Sequence, residues 1–439
     1  MTAPAVSTTD LSSPAAALFA MRRDPLDFFT RLAREQGDIC RFKLGDHAQD
    51  VYLLNHPDYI HEVLVTQDRH FTKWFAVDRI YEVLGEWLFV SEGEFHLRQR
   101  RLSQPAFHRD RVASYAGQMT NLAIRLREQW RATDAIDVSR EMNWLAMMIV
   151  ATTLFGADVE TSAEQVREAL NEILDQFERS VLPAADRQYF NDAMARLDSV
   201  VDRMIKQRRA SGCDRPDLLS SLMLAQDLEN GSEKLNDRQL RDEAMTIFLA
   251  GHETSANALA WSWYLLAQHP AVEEQFHHEV DRVLQGRAPS ADDVPALEFT
   301  ARVFAEALRL YPPVWAIGRR AIQECRIGDT IIAPGSVVIL SSYVTHRDAR
   351  WFRDPERFDP ERWTPEARST RPRFSYFPFS AGSRACLGEG FAGLEGVLCL
   401  ATIAQKWKLR LVPGQTVVPQ PQLTLRARNG IRMQVEPRV

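Results

Sequence analysis

Near its C-terminal end the chain carries the run Phe379-Ser380-Ala381-Gly382-Ser383-Arg384-Ala385-Cys386-Leu387-Gly388, which sets a cysteine where its sulfur can do chemistry. The glycines permit a tight loop. Cys386 comes just before a predicted helix, whose N-terminal dipole favours a thiolate over a thiol. A free thiol titrates near about 8.5, so a bare cysteine is mostly protonated at neutral pH. A ferric iron bound to the sulfur would deprotonate it, and Arg384 can neutralise an acid group on the same iron-bearing ring. The bland alternative is a small buried hydrophobe, the usual fate of an unpaired cysteine.

Other polar clusters stand at spacings that a helix would bring together. Glu306 and Arg309, in Glu306-Ala307-Leu308-Arg309, share a helix face; on a surface such a pair is worth about a few tenths of a kcal/mol. Ala250-Gly251-His252-Glu253-Thr254 falls in an apolar stretch, where glycine weakens a helix and a carboxylate costs desolvation. A kink or a stray exposed face would explain it blandly, and the apolar flanks argue against the second. In Gly93-Glu94-Phe95-His96-Leu97-Arg98-Gln99-Arg100-Arg101, His96 and Arg100 are one turn apart and face the same way. Alone, that is a solvated basic face.

The elements that must hold these residues are mostly helices. The longest is predicted over about Asp237 to His269, with Asn236 as N-cap, Gln239 at the capping-box position and Pro270 after its end. Ala244 to Leu266 is apolar on nearly every face and should be buried. Helical patterns also cover Arg109 to about Arg209, broken at Gly156 and Pro183, then Leu297 to Leu310, and Glu389 to Trp407. Strands are expected at Arg41–Leu44 and Val51–Leu54 around Gly45-Asp46-His47, at Cys325–Ile332, at Val337–Leu340 and after Trp407. Residues 350–384 show little periodicity.

The 439 residues and net charge of −6 suit a large globular core and give no reason to expect nucleic-acid binding. Five scattered cysteines, Cys40, Cys213, Cys325, Cys386 and Cys399, have no zinc spacing and no Cys-x-x-Cys-His, which fits a reducing cytoplasm. Ala15 to Met21 is too short to span a bilayer, so no membrane span is expected. Residues 1–24 read as a flexible tail and 25–439 as one catalytic domain.

The cysteine run resembles the haem-binding signature of the cytochrome P-450 family, Phe-x-x-Gly-x-Arg-x-Cys-x-Gly, at every fixed position. The likeness extends over residues 25–435. It implies a mainly α fold with small β-sheets, and haem b (iron protoporphyrin IX) held between the long helix and the cysteine loop. Cys386 is then the iron ligand and Phe379 opens its loop. His96, Arg100, Arg319 and Arg384 contact the propionates. Glu306 and Arg309 form a buried structural set with Arg362 of Phe352-x-Asp354-Pro355-Glu356-Arg357-Phe358-Asp359-Pro360-Glu361-Arg362-Trp363, where Trp363 replaces a commoner Phe. Gly251 leaves room for dioxygen, Thr254 gives it a hydrogen bond and Glu253 relays protons through water. His252 receives no role.

The activity so implied is insertion of one oxygen atom of O2 into a hydrophobic substrate, because an electron-rich thiolate promotes O–O cleavage. The chain ends without flavin or iron–sulfur segments, so a ferredoxin or flavodoxin with its reductase is expected to bring electrons. A peroxygenase or isomerase of the same fold, or a non-enzymatic haem protein, are the alternatives, and the Glu253-Thr254 pair speaks against them. The resemblance puts Trp74, Phe75, Phe89, Phe248, Leu249, Val314, Trp315, Ile317 and Leu425 around the substrate. Apolar and aromatic, they favour a terpenoid, carotenoid-like or fatty acyl compound, though each taken singly reads as core.

Overall fold

A computed structural model describes residues 13–45, 48–74, 88–156, 168–169, 172, 184–211, 217–224, 226–227 and 233–438. The chain divides into two compact units, each assembled from three stretches. The first takes residues 1–77, 314–357 and 368–386; the second takes 78–313, 358–367 and 387–439.

The first unit is built on a five-stranded sheet of β1 (Ile39–Leu44), β2 (Gln49–Leu54), β3 (Phe71–Lys73), β4 (Ile317–Ala321) and β5 (Val337–Leu340), in the order β1-β2-β5-β4-β3. β1 and β2 are antiparallel, with Arg41 opposite Tyr52, whereas β5 runs parallel to β2, with Val337 opposite Val51. Both faces are covered, which is why Val51-Tyr52-Leu53-Leu54 is apolar throughout instead of alternating. Tyr52 and Leu54 pack on one side with Ile60, Leu64, Phe374 and Phe377. Val51 and Leu53 pack on the other with Phe28, Phe29 and Leu32.

Those three residues belong to helix α2 (Pro25–Gln36), which starts where Asp24 accepts a hydrogen bond from the Asp27 amide and Pro25 fills the first position. The segment expected to be a tail contains a helix as well, α1 (Pro14–Arg23), capped by Ser13 and with Ala17 buried in the same core. Strands β3 and β4 are additions to the expected set. The Gly45-Asp46-His47 turn, the break at Pro183, and Cys213 fall wholly or partly outside the described residues.

The second unit is helical. Its site-bearing helices are α3 (Gly93–Ser103), α4 (Val138–Phe155), α5 (Asp237–Gln268), α6 (Glu298–Leu310) and α7 (Glu389–Ala404). α5 starts as expected: the Asn236 side chain accepts from the Gln239 amide at 2.9 Å, and Gln239 Oε1 accepts from the Asn236 amide at 3.1 Å. Its 32 residues make it roughly 48 Å long. α7 stops at Ala404, because Trp407 already belongs to a strand, Trp407–Leu411, paired with Arg432–Pro437.

α6 fixes the irregular stretch 358–363. Glu306 has no exposure to water and is surrounded by donors. Arg309 holds it in a fork, Nε to Oε2 at 2.8 Å and Nη2 to Oε1 at 2.8 Å. Arg362 Nε lies 3.3 Å from Oε1 as a second cation. The Asp359 amide donates to Oε1 at 3.0 Å and the Trp363 indole Nε1 to Oε2 at 2.9 Å. Trp363 was noted in the sequence only as a departure from Phe; it supplies a donor that Phe lacks. Losing a hydrogen bond to a buried charge costs about 1.5–3 kcal/mol, so Trp363→Phe should lower unfolding free energy by that amount in denaturant titration. Arg309→Lys breaks the fork, at about 3–5 kcal/mol for a disrupted buried pair, and should yield little folded protein.

Candidate functional site

The cysteine loop belongs to the first unit and is closed by its own backbone. The Cys386 amide donates to the Phe379 carbonyl at 2.9 Å and the Ala385 amide to Gly382 at 3.1 Å. Ser380 and Gly382 take positive φ, 60° and 67°. At Gly382 a side chain is excluded twice over. The backbone is left-handed, and a Cβ would stand 1.9 Å from the Leu64 carbonyl oxygen. Leu64 belongs to a π-helical turn, Glu62–Thr66.

Cys386 is exposed, whereas Cys40, Cys325 and Cys399 are buried. Burial pushes the Cys40 thiol up to about 12, the Cys325 thiol to about 11, and the Cys399 thiol well above its ordinary value. Among the described cysteines, Cys386 is thus the one whose sulfur an iron can reach. Phe379 and Arg384 flank it half-buried. Arg319, on β4, is buried, with Nη1 donating to the Gly318 carbonyl at 3.0 Å. Gly318 is a site residue that sequence reasoning passed over: a Cβ there would lie 2.1 Å from the Trp74 carbonyl oxygen, so glycine lets the Trp74 backbone run against β4. Its sequence signal is slight, a glycine in the run Ile317-Gly318-Arg319-Arg320-Ala321, which does not read as a strand.

In the second unit, α5 is buried along most of its length but opens at its middle. Ala250 is exposed and Leu249, Gly251 and Thr254 are half-buried, while His252 and Glu253 are buried. The Thr254 hydroxyl donates to the Ala250 carbonyl at 2.7 Å, so its oxygen remains an acceptor and the proton is given to the helix. Gly251 makes room in another direction than expected. A Cβ there would stand 3.1 Å from Val150 Cγ2, so the missing side chain lets α4 approach α5. The accessible small residue is Ala250.

His252, left without a role by the sequence, joins the same two helices: its Nε2 lies 3.1 Å from Asn143 Nδ2. Burial keeps this imidazole neutral, down to about 4. Ser255, next to Thr254, donates to Glu395 of α7 at 2.6 Å. Burial pushes the Glu395 carboxyl up to about 8. On α3, His96 is buried and Arg100 half-buried, one turn apart as expected.

Of the expected substrate-lining residues, Phe89 is 46 % exposed and Val314 38 %. Trp74 and Trp315 are partly buried beside the first unit's core. Phe248 is packed against Phe155, ring centroids 5.8 Å apart, and Leu425 has no exposure at all. Phe248, Leu425 and the buried Ile317 are core residues with little or no surface to offer a ligand. Phe75 lies outside the described residues.

The Cytochrome P-450 family model matches residues 15–435. The chain belongs to the cytochrome P-450 family. As such it is a haem protein and an oxygen-using monooxygenase. It is 41% identical to cyclooctatin synthase of Streptomyces melanosporofaciens over 95% of this chain and 92% of that one. It is 38% identical to cyclooctat-9-en-7-ol 5-monooxygenase of the same organism, over 91% and 88%. Identity to pentalenene oxygenase of Streptomyces avermitilis is 32%, over 95% and 94%. Among solved structures, the haem domain of cytochrome P-450DA superposes with a TM-score of 0.87 at 28% identity, covering 94% of this chain and 93% of that one. The P-450 fold is mainly helical with small sheets, as the sequence suggested. Among the described residues no helix is long and apolar enough to cross a membrane.

The haem fits the donor set of the first unit: an accessible thiol in a loop of fixed shape, with cationic side chains at Arg319 and Arg384. Glu395 and His252 predict how this P-450 responds to pH. A carboxyl raised in the folded state binds its proton more tightly there, so its contribution is full below the unfolded value of 4.5 and is lost as pH rises through about 8. A histidine lowered when folded acts oppositely, costing stability as pH falls from 6.5 towards about 4. Glu395→Gln should therefore reduce the fall in melting temperature between pH 5 and pH 8 while leaving the acid limb unchanged.

Proposed function

We propose that this P-450 hydroxylates a terpenoid, using haem b ligated by Cys386 and electrons from a separate ferredoxin or flavodoxin. The observation that carries the ligand assignment is Cys386 in its closed loop, the one exposed cysteine among the described residues. When bound, the haem supplies the chemistry of O–O cleavage and C–H oxidation, which a thiolate ligand favours. The chain's part is to bind, orient and deliver protons.

Thr254 and Glu253 would serve proton delivery. The Thr254 oxygen sits at the open middle of α5, tied through its hydroxyl to Ala250, and can accept a hydrogen bond from water there. Turning its hydroxyl out of that bond makes it a donor. Glu253, one residue away and buried, is the reserve of protons. His96, Arg100, Arg319 and Arg384 would meet the propionates, each as a donor to a carboxylate. Ala250, in place of Gly251, leaves space beside the helix.

For the substrate class, support comes from the apolar, partly exposed residues Phe89, Val314, Leu249, Trp74 and Trp315, and from relatives named for cyclooctat-9-en-7-ol and pentalenene. Burying apolar surface contributes about 25 cal/mol per Å², so side chains of this type select by size and shape. Cytoplasmic location belongs to the same proposal, since Cys40, Cys325 and Cys399 are thiols and not disulfides. Arg98, Arg101 and Arg109, on or next to α3, give an acidic electron carrier a basic face.

The reduced CO adduct should show the long-wavelength Soret band of thiolate ligation, and Cys386→Ser should lose it. A band that survives the substitution refutes the ligand assignment. Thr254→Ala should keep haem and substrate binding but lower product formed per electron pair, with peroxide released instead. In a spin-state binding screen, terpenoid alcohols and hydrocarbons should shift the iron to high spin; a response confined to small charged compounds would overturn the substrate class.

A further inference from the structure

The resemblance gives His96 one task, contact with a haem propionate, yet the structure shows one of its ring nitrogens engaged elsewhere. His96 Nδ1 lies 3.1 Å from the Leu88 carbonyl oxygen, and Ser91 Oγ donates to the same oxygen at 3.3 Å. His96, Ser91, Leu88 and Val90 are all buried, while Phe89 between them is 46 % exposed. The other polar group of Leu88, its amide, faces the carboxyl of Glu243 on α5, which has no exposure to water. Glu243 is eleven residues before Thr254, which turns it only about 20° around the helix from that residue. The short segment carrying Phe89 is thus gripped on its carbonyl by α3 and approached on its amide by α5.

We propose that His96 is a positioning residue that couples the propionate site to the substrate wall, holding Leu88 with Nδ1 and so fixing Phe89, while Nε2 is the nitrogen that meets the propionate. This rests on the haem reading above. A tryptophan, which the family also uses here, has one N–H and can serve only one of the two acceptors. A histidine with both ring nitrogens protonated donates to both acceptors, a link that tryptophan cannot make, and Phe89 is the residue whose orientation depends on it.

The test uses the haem-loaded protein and its His96→Trp variant. Wild type must first show the thiolate CO band; without it the haem reading fails, independently of this inference. With the band present, the variant should keep it, yet amide hydrogen exchange at residues 88–92 should speed up by about tenfold, as expected for loss of a buried hydrogen bond of about 1.4 kcal/mol. Should His96→Trp not load haem, His96→Gln, with a single donor group, gives the same comparison. The second readout is spin-state affinity for farnesol. His96→Trp should weaken it severalfold in the native background and leave it unchanged in Phe89→Ala, because the effect travels through that ring. Exchange rates equal to wild type, or effects of the two substitutions that simply add, would overturn the coupling.

Discussion

A carboxylate that has left water entirely must be met by donors on both oxygens. At Glu306 this requirement draws in Arg309, Arg362, Trp363 and the Asp359 amide. The result is that 358–363, which has no helical or strand periodicity, takes one shape. The attraction alone does not explain the arrangement, since taking three charges out of water offsets much of what their pairing returns. What it adds is direction: a planar fork and an indole N–H satisfy the carboxylate in one geometry, and other packings of this stretch leave it short of donors.

The sequence was most legible where local chemistry and burial agree. The capping box at Asn236 and Gln239, the apolar run of α5 and the buried pair Glu306–Arg309 all appear as their spacing says. Legibility failed where the environment is set by distant residues. β4 contains Gly318-Arg319-Arg320, which lacks strand alternation, and it exists because β5 and β3 pair with it on either side. Trp363 looked like a substitution for bulk until Glu306 lay beside its indole. Phe248 and Leu425 are apolar whether they line a ligand or fill a core, so type alone could not separate the two. Gly251 invited a reading as space for a ligand; which neighbour a missing side chain admits is a three-dimensional fact, and here it is Val150.

Along α5 polar groups are buried in a graded way. Glu243 is pushed up to about 8 by its apolar surroundings, and His252 is kept neutral by its own. Glu395, facing the helix from α7, is also raised. Three ionisable side chains therefore cross this interior without net charge near neutral pH. Glu253, beside Thr254, is buried less completely than these three. Neutral neighbours keep the local field simple: a proton moving there would be steered by hydrogen bonds and little by attraction to nearby carboxylates.

The packing of Gly382 against the Leu64 carbonyl, which leaves no space for a Cβ, carries a consequence for the order of assembly. The loop's shape is moulded against the Leu64 carbonyl, so the loop cannot settle until the π-helical turn 62–66 is itself in place on the sheet. Residues 64 and 382 are far apart in sequence, and a contact of that span forms late because the intervening chain must first be ordered. A nascent chain thus completes its strands before the Cys386 sulfur has a fixed direction.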